Sequence, residues 1–192
     1  LVRLVPVELR DLEGSLVASA EAAVRSATVS IHPFDENNVV LENVHYDGRA
    51  NNNQYAIDEV PPGQYFLWVA GQGAVSSFST WKNIFLNRGN NRENVEIGTA
   101  SVKGTVMNEH GQPLPNVGVQ MLPIFNTPHL TQNLYNKLIK ASVSDAQGNF
   151  VFENIKPGNY QMINQSPASG GWYAQQVFGI EAYQNLQGLN VL

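Results

Sequence analysis

Residues 102–123, VKGTVMNEHGQPLPNVGVQMLP, repeat the pattern of residues 12–33, LEGSLVASAEAAVRSATVSIHP, at a constant shift of 90 positions. A second echo, at a shift of 95, relates QYAIDEVPPGQY at 54–65 to NFVFENIKPGNY at 149–160. A period of about 90 residues, with matched apolar positions and matched turns, indicates that one domain is duplicated in the chain.

The apolar residues follow a period of two, which is typical of half-buried strands. Val117, Val119 and Met121 lie on one face of such a strand, and Gly118 and Gln120 lie on the other. Turn clusters separate the strand-forming runs every 8–12 residues, as in an all-β sandwich. We predict two tandem Ig-like or prealbumin-like Greek-key β-sandwich domains of about seven strands each.

The repeat places the domain boundary near Gly98–Ala100. We therefore expect one sandwich over residues 10–98 and the other over residues 99–192. Residues 1–9 allow two interpretations, because their VEL resembles the VEI that closes the first copy. They are the closing strand of an upstream domain or a long first strand of domain one. On the first interpretation, which agrees with the lack of an initiator Met and a signal peptide, the chain is a slice of a longer array.

Glycine and tyrosine residues recur at matched turns between the predicted strands of the two copies. Each copy carries a Pro-Gly turn, predicted to be type II with the glycine at positive φ. A tyrosine follows two residues later, and its hydroxyl is expected to reach a nearby backbone group, as in a tyrosine corner. Two further glycines of the second copy suit left-handed hairpin positions. The predicted structural turn residues are Gly63, Tyr65, Gly111, Gly148, Gly158 and Tyr160.

The two copies differ most within FNTPHLTQNLYNKLIKAS at residues 125–142, where the second copy has five extra residues. Leu130, Leu134 and Leu138 stand at helical spacing, which allows a short helix. A loop that ends in a strand around Lys137–Ser144 fits the residues equally well.

Composition narrows the class of protein. The chain has no Cys, which excludes disulfides and thiolate metal sites. Charged residues make up 14%, and 22 Asn and 13 Gln take their place; such amide-rich surfaces are common outside the cell, and charge content is usually nearer 25%. The net charge of −5 argues against nucleic-acid binding. No apolar run reaches the length of a membrane helix.

Two segments of the second copy resemble a known family. VKGTVMNEHGQPLPNVGVQM followed by SDAQGNFVFENIKPGNY resembles the carboxypeptidase regulatory-like domain, which belongs with the prealbumin-like (transthyretin-like) and Cna-B-type sandwiches. The first copy lacks the Gly-x-Pro and Asp-x-x-Gly turns of that pattern. The resemblance implies a non-catalytic accessory module of the kind attached to peptidases, outer-membrane receptors or adhesins. The matching residues are Gly104, Val106, Gly111, Pro113, Val119, Asp145, Gly148, Phe150, Pro157, Gly158 and Tyr160.

The sequence does not support the chemical activities that some members of related families have. A Cna-B-type isopeptide bond between Lys103 in the first strand and Asn190 in the last would need a buried lysine, whereas Lys103 shares the face of Thr105 and is expected to be exposed. Transthyretin-like hydroxyisourate hydrolases have a similar first hairpin, and His110 lies in that hairpin here. This chain ends in LNVL, however, and lacks the C-terminal tail on which their activity depends. We expect no enzyme activity.

Metal and cofactor sites have little support in the sequence. The histidines His32, His45 and His129 are widely separated, without the spacing of metal ligands. The acidic pairs Asp35/Glu36 and Asp58/Glu59 are read as solvated turn carboxylates, with a weak calcium site around Asp145 as the alternative. No catalytic, metal or cofactor residue is predicted.

Three aromatic residues are the candidates for binding. Trp81, Trp172 and Tyr173 could stack on sugars, but Trp81 and Trp172 are expected to occupy equivalent places in the two copies. Recurrence favours a structural ring that covers one end of the core. Accessible, coplanar rings would instead indicate a sugar platform.

The predicted function is that of a structural spacer in an exported bacterial protein, extracellular, periplasmic or at the cell surface. Its partners are then the neighbouring domains of the same polypeptide, and the short linker between the copies should limit their relative motion. The alternative is a carbohydrate- or protein-binding accessory module that uses edge strands or the loop at 124–140. Neither interpretation involves nucleic acid or insertion into a membrane.

Overall fold

The chain forms two compact units built almost entirely of strands. The computed structural model describes residues 8–18, 24–74, 76–125, 129–165 and 170–191, and of residues 173–175 and 191 it describes the backbone only. Among these, the first unit takes in residues 8–96 and 129–131, and the second takes in the remainder.

Two four-stranded sheets make up the first unit. One has the order β4-β1-β7, with β8 also paired to β1, and the other has the order β3-β2-β5-β6. Apart from β1 with β7 and β8, all neighbours are antiparallel. The strands are β1 (Arg10–Val17), β2 (Ser26–Pro33), β3 (Tyr46–Ala50), β4 (Gln54–Val60), β5 (Gly63–Gln72), β6 (Ser77–Leu86), β7 (Asn91–Arg92) and β8 (Val95–Glu96).

The second unit repeats this topology. Its sheets have the orders β12-β9-β15 and β11-β10-β13-β14, so β9 takes the place of β1 and β15 the place of β7 and β8. The predicted fold class, two tandem Greek-key β-sandwiches, is confirmed. The elements are β9 (Ala100–Val106), β10 (Gly118–Pro123), α1 (Gln132–Asn136), β11 (Lys140–Val143), β12 (Asn149–Ile155), β13 (Gly158–Gln165), β14 (Trp172–Ile180) and β15 (Asn185–Val191).

Alternation of buried and exposed residues builds each core. Along β9, Val102, Gly104 and Val106 are buried while Lys103 is exposed and Thr105 is half-buried. Successive side chains of a strand point to opposite faces, so each sheet has one apolar face to bury. The period-two pattern of the sequence therefore decides which residues form the core.

The inserted segment of the second copy contains both of the elements that its sequence allowed. A single-turn helix, α1, is followed by the short strand β11. Leu134 and Leu138 are buried, whereas Leu130 is half-buried and precedes the helix. Leu134 lies in the helix and Leu138 in the turn that follows it, so both leucines are buried before the strand begins.

Residues 129–131 belong to the first unit although they come from the second copy. The Val40 N–H donates to the His129 carbonyl at 3.1 Å, and the Thr131 hydroxyl donates to the Glu42 carboxylate at 2.6 Å. Backbone pairing of this kind has no signature in the sequence of either segment.

The predicted strand over residues 1–9 falls mostly on residues 1–7, which lie outside the described residues. Leu9 is exposed, and β1 begins at Arg10. The assignment of residues 1–9 to an upstream domain stays a prediction.

Candidate functional site

The chain enters and leaves the second unit along two neighbouring strands. β15 pairs with β9 in parallel, from Asn185 opposite Ser101 to Val191 opposite Val106. The Ser101 hydroxyl also donates to the Asn185 side-chain oxygen at 2.6 Å. We call this pair of first and last strands the closing pair of the unit.

The first unit has a closing pair in two pieces. β7 pairs in parallel with β1 at Leu12 and Glu13, and β8 does so at Leu16 and Val17. Between them, the Glu93 N–H donates to the Glu13 carbonyl at 2.9 Å, and the Asn94 side-chain oxygen accepts from the Ser15 N–H at 3.2 Å. Backbone and side chain together continue the ladder across the break.

A glycine in each first strand allows the closing strand to approach. A Cβ at Gly104 would lie 2.4 Å from both the Leu189 carbonyl oxygen and the Phe150 ring. A Cβ at the matched Gly14 would lie 1.9 Å from the Glu93 carbonyl oxygen and 2.6 Å from the Tyr55 ring. Both glycines are therefore required by close packing, since real Cβ contacts do not fall below about 3 Å.

Tyrosine corners fix the turn at one end of each unit. The Tyr65 hydroxyl donates to the Pro61 carbonyl, and the Tyr160 hydroxyl to the Lys156 carbonyl, each at 2.7 Å. Burial raises the pKa of Tyr65 to about 12 and raises the pKa of Tyr160 further. Both hydroxyls therefore remain protonated donors throughout the physiological pH range.

The turn glycines adopt two different conformations. Gly111 and Gly148 have φ of 75° and 77°, in the left-handed region. Gly63 and Gly158 have φ of 159° and 155°, far from the value near +80° that a type II turn requires. The prediction of type II turns is wrong at this point, because these glycines already begin the extended strands β5 and β13.

Trp81 lies on the outer face of the first unit, half-buried and directly opposite Trp68 of β5. The Trp68 indole N–H donates to the Ser79 hydroxyl at 2.9 Å. Trp68 was not among the candidates from the sequence, although the register of the hairpin places it on the same face of the neighbouring strand β5.

Trp172 lies on the outer face of the second unit, opposite Gln165. Its side chain is 45% exposed, and its ring lies against Gly118, where a Cβ would be 3.2 Å from the indole. Missing side-chain volume at Gly118 thus leaves a shelf on which the indole rests.

The two tryptophans are not equivalent, which corrects the sequence-based interpretation. Trp81 lies opposite Trp68, five positions after the turn glycine Gly63. Trp172 lies opposite Gln165, seven positions after the turn glycine Gly158. Neither ring covers the end of a core, since both lie on outer faces. The side chain of Tyr173, the third candidate, lies outside the described residues.

A polar cluster that sequence reasoning missed lies on β2 and the start of β3. The Asp47 carboxylate accepts a short hydrogen bond from the Ser30 hydroxyl and lies 3.5 Å from Nε2 of His45. The His32 and His45 rings are 5.5 Å apart, so these histidines, separated in sequence, are neighbours in the fold. The antiparallel register of β2 with β3, Ser30 opposite Asp47, brings these residues together, and their spacing in the sequence does not show it.

This cluster does not have the arrangement of a nucleophile. The Ser30 hydroxyl donates its proton to the Asp47 carboxylate, so the serine–imidazole hydrogen bond of a Ser-His-Asp arrangement is not formed. Over the part of the chain that the structure describes, no group of three or more His, Cys, Asp or Glu residues is placed to hold a metal ion.

The other candidate residues from the sequence lie in local hydrogen bonds or on the exposed surface. The Asp145 carboxylate accepts from the backbone N–H groups of Asn149 and Gln147, which lowers its pKa. Lys103 is exposed in an open groove of about 540 Å³ that Glu153 also lines. Asn190 and His110 are exposed as well.

The two remaining acidic pairs differ in their surroundings. The Asp35 carboxylate accepts from the Asn37 and Val39 N–H groups and so holds local backbone. Asp58 and Glu59 lie within β4, where the register with β1 shifts and Glu59 takes a left-handed φ of 59°, so the prediction of turn carboxylates is wrong for this pair.

Among the described residues, no helix combines the length and the apolar character needed to cross a membrane.

Comparison with known proteins finds remote structural likeness only. No family model matches the chain, and no curated protein matches it, so the resemblance to the carboxypeptidase regulatory-like domain stays a prediction. Solved structures with some likeness include a streptococcal ancillary pilin (12% identity, TM-score 0.38, 96% of this chain and 68% of that one). The minor pilin of Streptococcus agalactiae has 11% identity and a TM-score of 0.42, over 95% of this chain and 94% of that one. The major pilin subunit of Bacillus cereus has 8% identity and a TM-score of 0.35, over 97% and 69%.

TM-scores below 0.5 do not establish a shared fold. The architecture described above therefore rests on the strand order and burial of this chain alone.

Proposed function

We propose that this chain is a non-catalytic, load-bearing spacer of an exported or cell-surface protein. The observation that carries the proposal is the closing pair: in each unit, the strand where the chain enters lies parallel to the strand where it leaves. The low charge content and the absence of Cys agree with an exported module but do not specify one.

Parallel closing strands resist tension in a particular way. When the two ends of a unit are pulled apart, parallel neighbours slide past each other, so their hydrogen bonds are loaded in shear and must break together. An antiparallel hairpin at the ends would instead open one bond at a time. Each backbone hydrogen bond contributes only about 1 kcal/mol net, so simultaneous loading is what gives mechanical resistance.

Single-molecule force spectroscopy on the second unit tests the proposal. Because the chain has no Cys, introduced cysteines provide unique attachment points. The variant Thr99→Cys pulled against a C-terminal cysteine loads the closing pair in shear. The same Thr99→Cys combined with Glu181→Cys pulls both strands from one end, since Gln184 bonds to Ser101 there, and peels them apart.

We expect a clearly higher unfolding force in shear than in peeling. Both proteins share Thr99→Cys, so any effect of that substitution on stability cancels. Equal forces in the two geometries would contradict a load-bearing role.

A second candidate function, glycan binding, is favoured by Trp172. Its half-exposed indole on the Gly118 shelf offers an apolar surface to a sugar ring. A glycan array probed with the full chain tests this function. Binding abolished by Trp172→Ala and kept by Val177→Ala, on the same strand, would support it, and an array without hits would exclude it for the glycans printed.

A further inference from the structure

β14 is an open edge of its sheet. Within the described residues it pairs with β13 on one side only, and its nine residues, WYAQQVFGI, include neither a charged residue nor a proline. Natural edge strands usually carry charges, prolines, bulges or a covering segment that prevent pairing with another chain. β14 has a bulge near Gln175, where its register with β13 shifts, and the stretch Gln176–Ile180 beyond it is regular.

The corresponding edge of the first unit is protected. β6 carries Lys82, whose ammonium contacts the Glu93 carboxylate at 2.6 Å and the Asn94 carbonyl at 3.3 Å. Thr80 of the same strand donates to the Glu96 carbonyl at 3.2 Å. Thr80 and Lys82 thus hold one face of β6 against the segment 93–96, and Lys82 gives this edge strand the charge that β14 lacks.

Other edges in the described part of the chain carry one of the usual devices. β3 contains Asp47 and Arg49, β11 is four residues long, and β12 contains Glu153. β15 is interrupted by a register shift and by Gly188 at φ 75°. Among the residues that the structure describes, none gives the stretch 176–180 of β14 comparable protection.

We propose that Gln176–Ile180 is a self-association surface that pairs antiparallel with the same stretch of a second copy of this chain. A two-fold axis beside Phe178 places Val177 of one copy opposite Gly179 of the other. Val177 is 62% exposed, and a Cβ built at Gly179 meets only the Asn159 side chain, at 3.3 Å, so there is room for the valine.

A second copy fits this surface because the stretch is uncharged. Antiparallel pairing about a two-fold axis brings identical residues close to one another, which is unfavourable wherever they are charged. Five paired residues make a small interface, so the dimer should be weak and depend on concentration. The inference does not rest on the proposed spacer function.

Sedimentation equilibrium up to millimolar concentration tests the inference. We expect the wild-type chain to pass from monomer to dimer and Val177→Lys to weaken association at least tenfold, because it places two like charges near the axis. Phe85→Lys is the matched control: Phe85 is 63% exposed on β6, and this substitution should leave association unchanged. Thermal unfolding followed by circular dichroism confirms that both variants are folded.

Three results would overturn the inference. They are a wild-type chain that stays monomeric, a dimer insensitive to Val177→Lys, and equal weakening by the two lysine substitutions.

Discussion

At the scale of single residues, buried polar atoms show how the turns are held. Tyr65 and Tyr160 bond to a carbonyl four residues earlier, although the sequences around their turns differ. Each part-buried hydroxyl satisfies a turn carbonyl, and removing one partner of such a bond costs more than a typical hydrogen bond gains.

Replacing Tyr160 by Phe tests this role. Tyr160→Phe keeps the ring and removes the donor to the Lys156 carbonyl, so we expect a loss of about 1–2 kcal/mol in the free energy of unfolding. Urea denaturation followed by fluorescence measures it. The control Tyr183→Phe, in a 77% exposed side chain, should change nothing, and an unchanged midpoint for Tyr160→Phe would contradict the assignment.

Lys140 provides a pH-dependent test. Burial lowers the pKa of Lys140 to about 8 from its ordinary value of 10.5. Between these values the unfolded chain holds a proton that the folded chain has released, so the free energy of unfolding rises with pH, by about 2 kcal/mol from about pH 8 to pH 9.5. Above about pH 10 the buried tyrosines act in the opposite direction, because their folded-state pKa values are raised.

Urea denaturation of wild type and Lys140→Met at several pH values measures the effect of this lysine. The variant should show no rise over the same range. Parallel curves for the two proteins would show that Lys140 is not responsible.

At the scale of elements, the closing pair depends on a single small residue. Gly104 in β9 lies between the Leu189 carbonyl and the Phe150 ring, and Gly14 in β1 has the matching neighbours. The repeat of a glycine at this point in both copies thus reflects the approach of a third strand and not a turn.

A methyl group at Gly104 should therefore separate the strands. We expect Gly104→Ala to lower the free energy of unfolding by about 2–3 kcal/mol through overpacking, and to lower the force at which the second unit unfolds in shear. Gly111→Ala is the control: its φ of 75° is strained for alanine, but nothing lies within 4 Å of the added Cβ, so the cost should be about 1 kcal/mol. Equal effects of the two substitutions would remove the special role of Gly104.

At the scale of the whole molecule, each unit has its own buried core and its own closing pair. Leu12, Leu16 and Ile57 are buried in the first unit, and Val102 and Val106 in the second. Damage to one closing pair should therefore leave the other intact.

The double variant Gly14→Ala with Gly104→Ala tests this independence. Because the two sites share no packing partner, we expect the losses in unfolding free energy to add to within about 0.5 kcal/mol. Chemical denaturation of both single variants and the double variant measures the sum, and a double variant much less stable than that sum would show that the two closing pairs are coupled.

The candidate site was less predictable than the fold. Spacing in the sequence suggested that Trp81 and Trp172 are equivalent, but the pairing places them opposite the fifth and the seventh residue after their turn glycines. The neighbouring positions of His32 and His45 were also missed, because contacts across a hairpin depend on its register and not on separation along the chain.

Alternating apolar residues, two matched sets of turns and a repeat near 90 residues were sufficient to predict an all-β chain with two sandwich domains, because each of these signals can be found along the sequence without knowledge of the partner strand. Which strands become neighbours, which edge stays open and which aromatic rings face solvent depend on contacts between distant segments. The parallel ladder of β9 and β15 joins residues more than 80 positions apart, so only the folded chain reveals it.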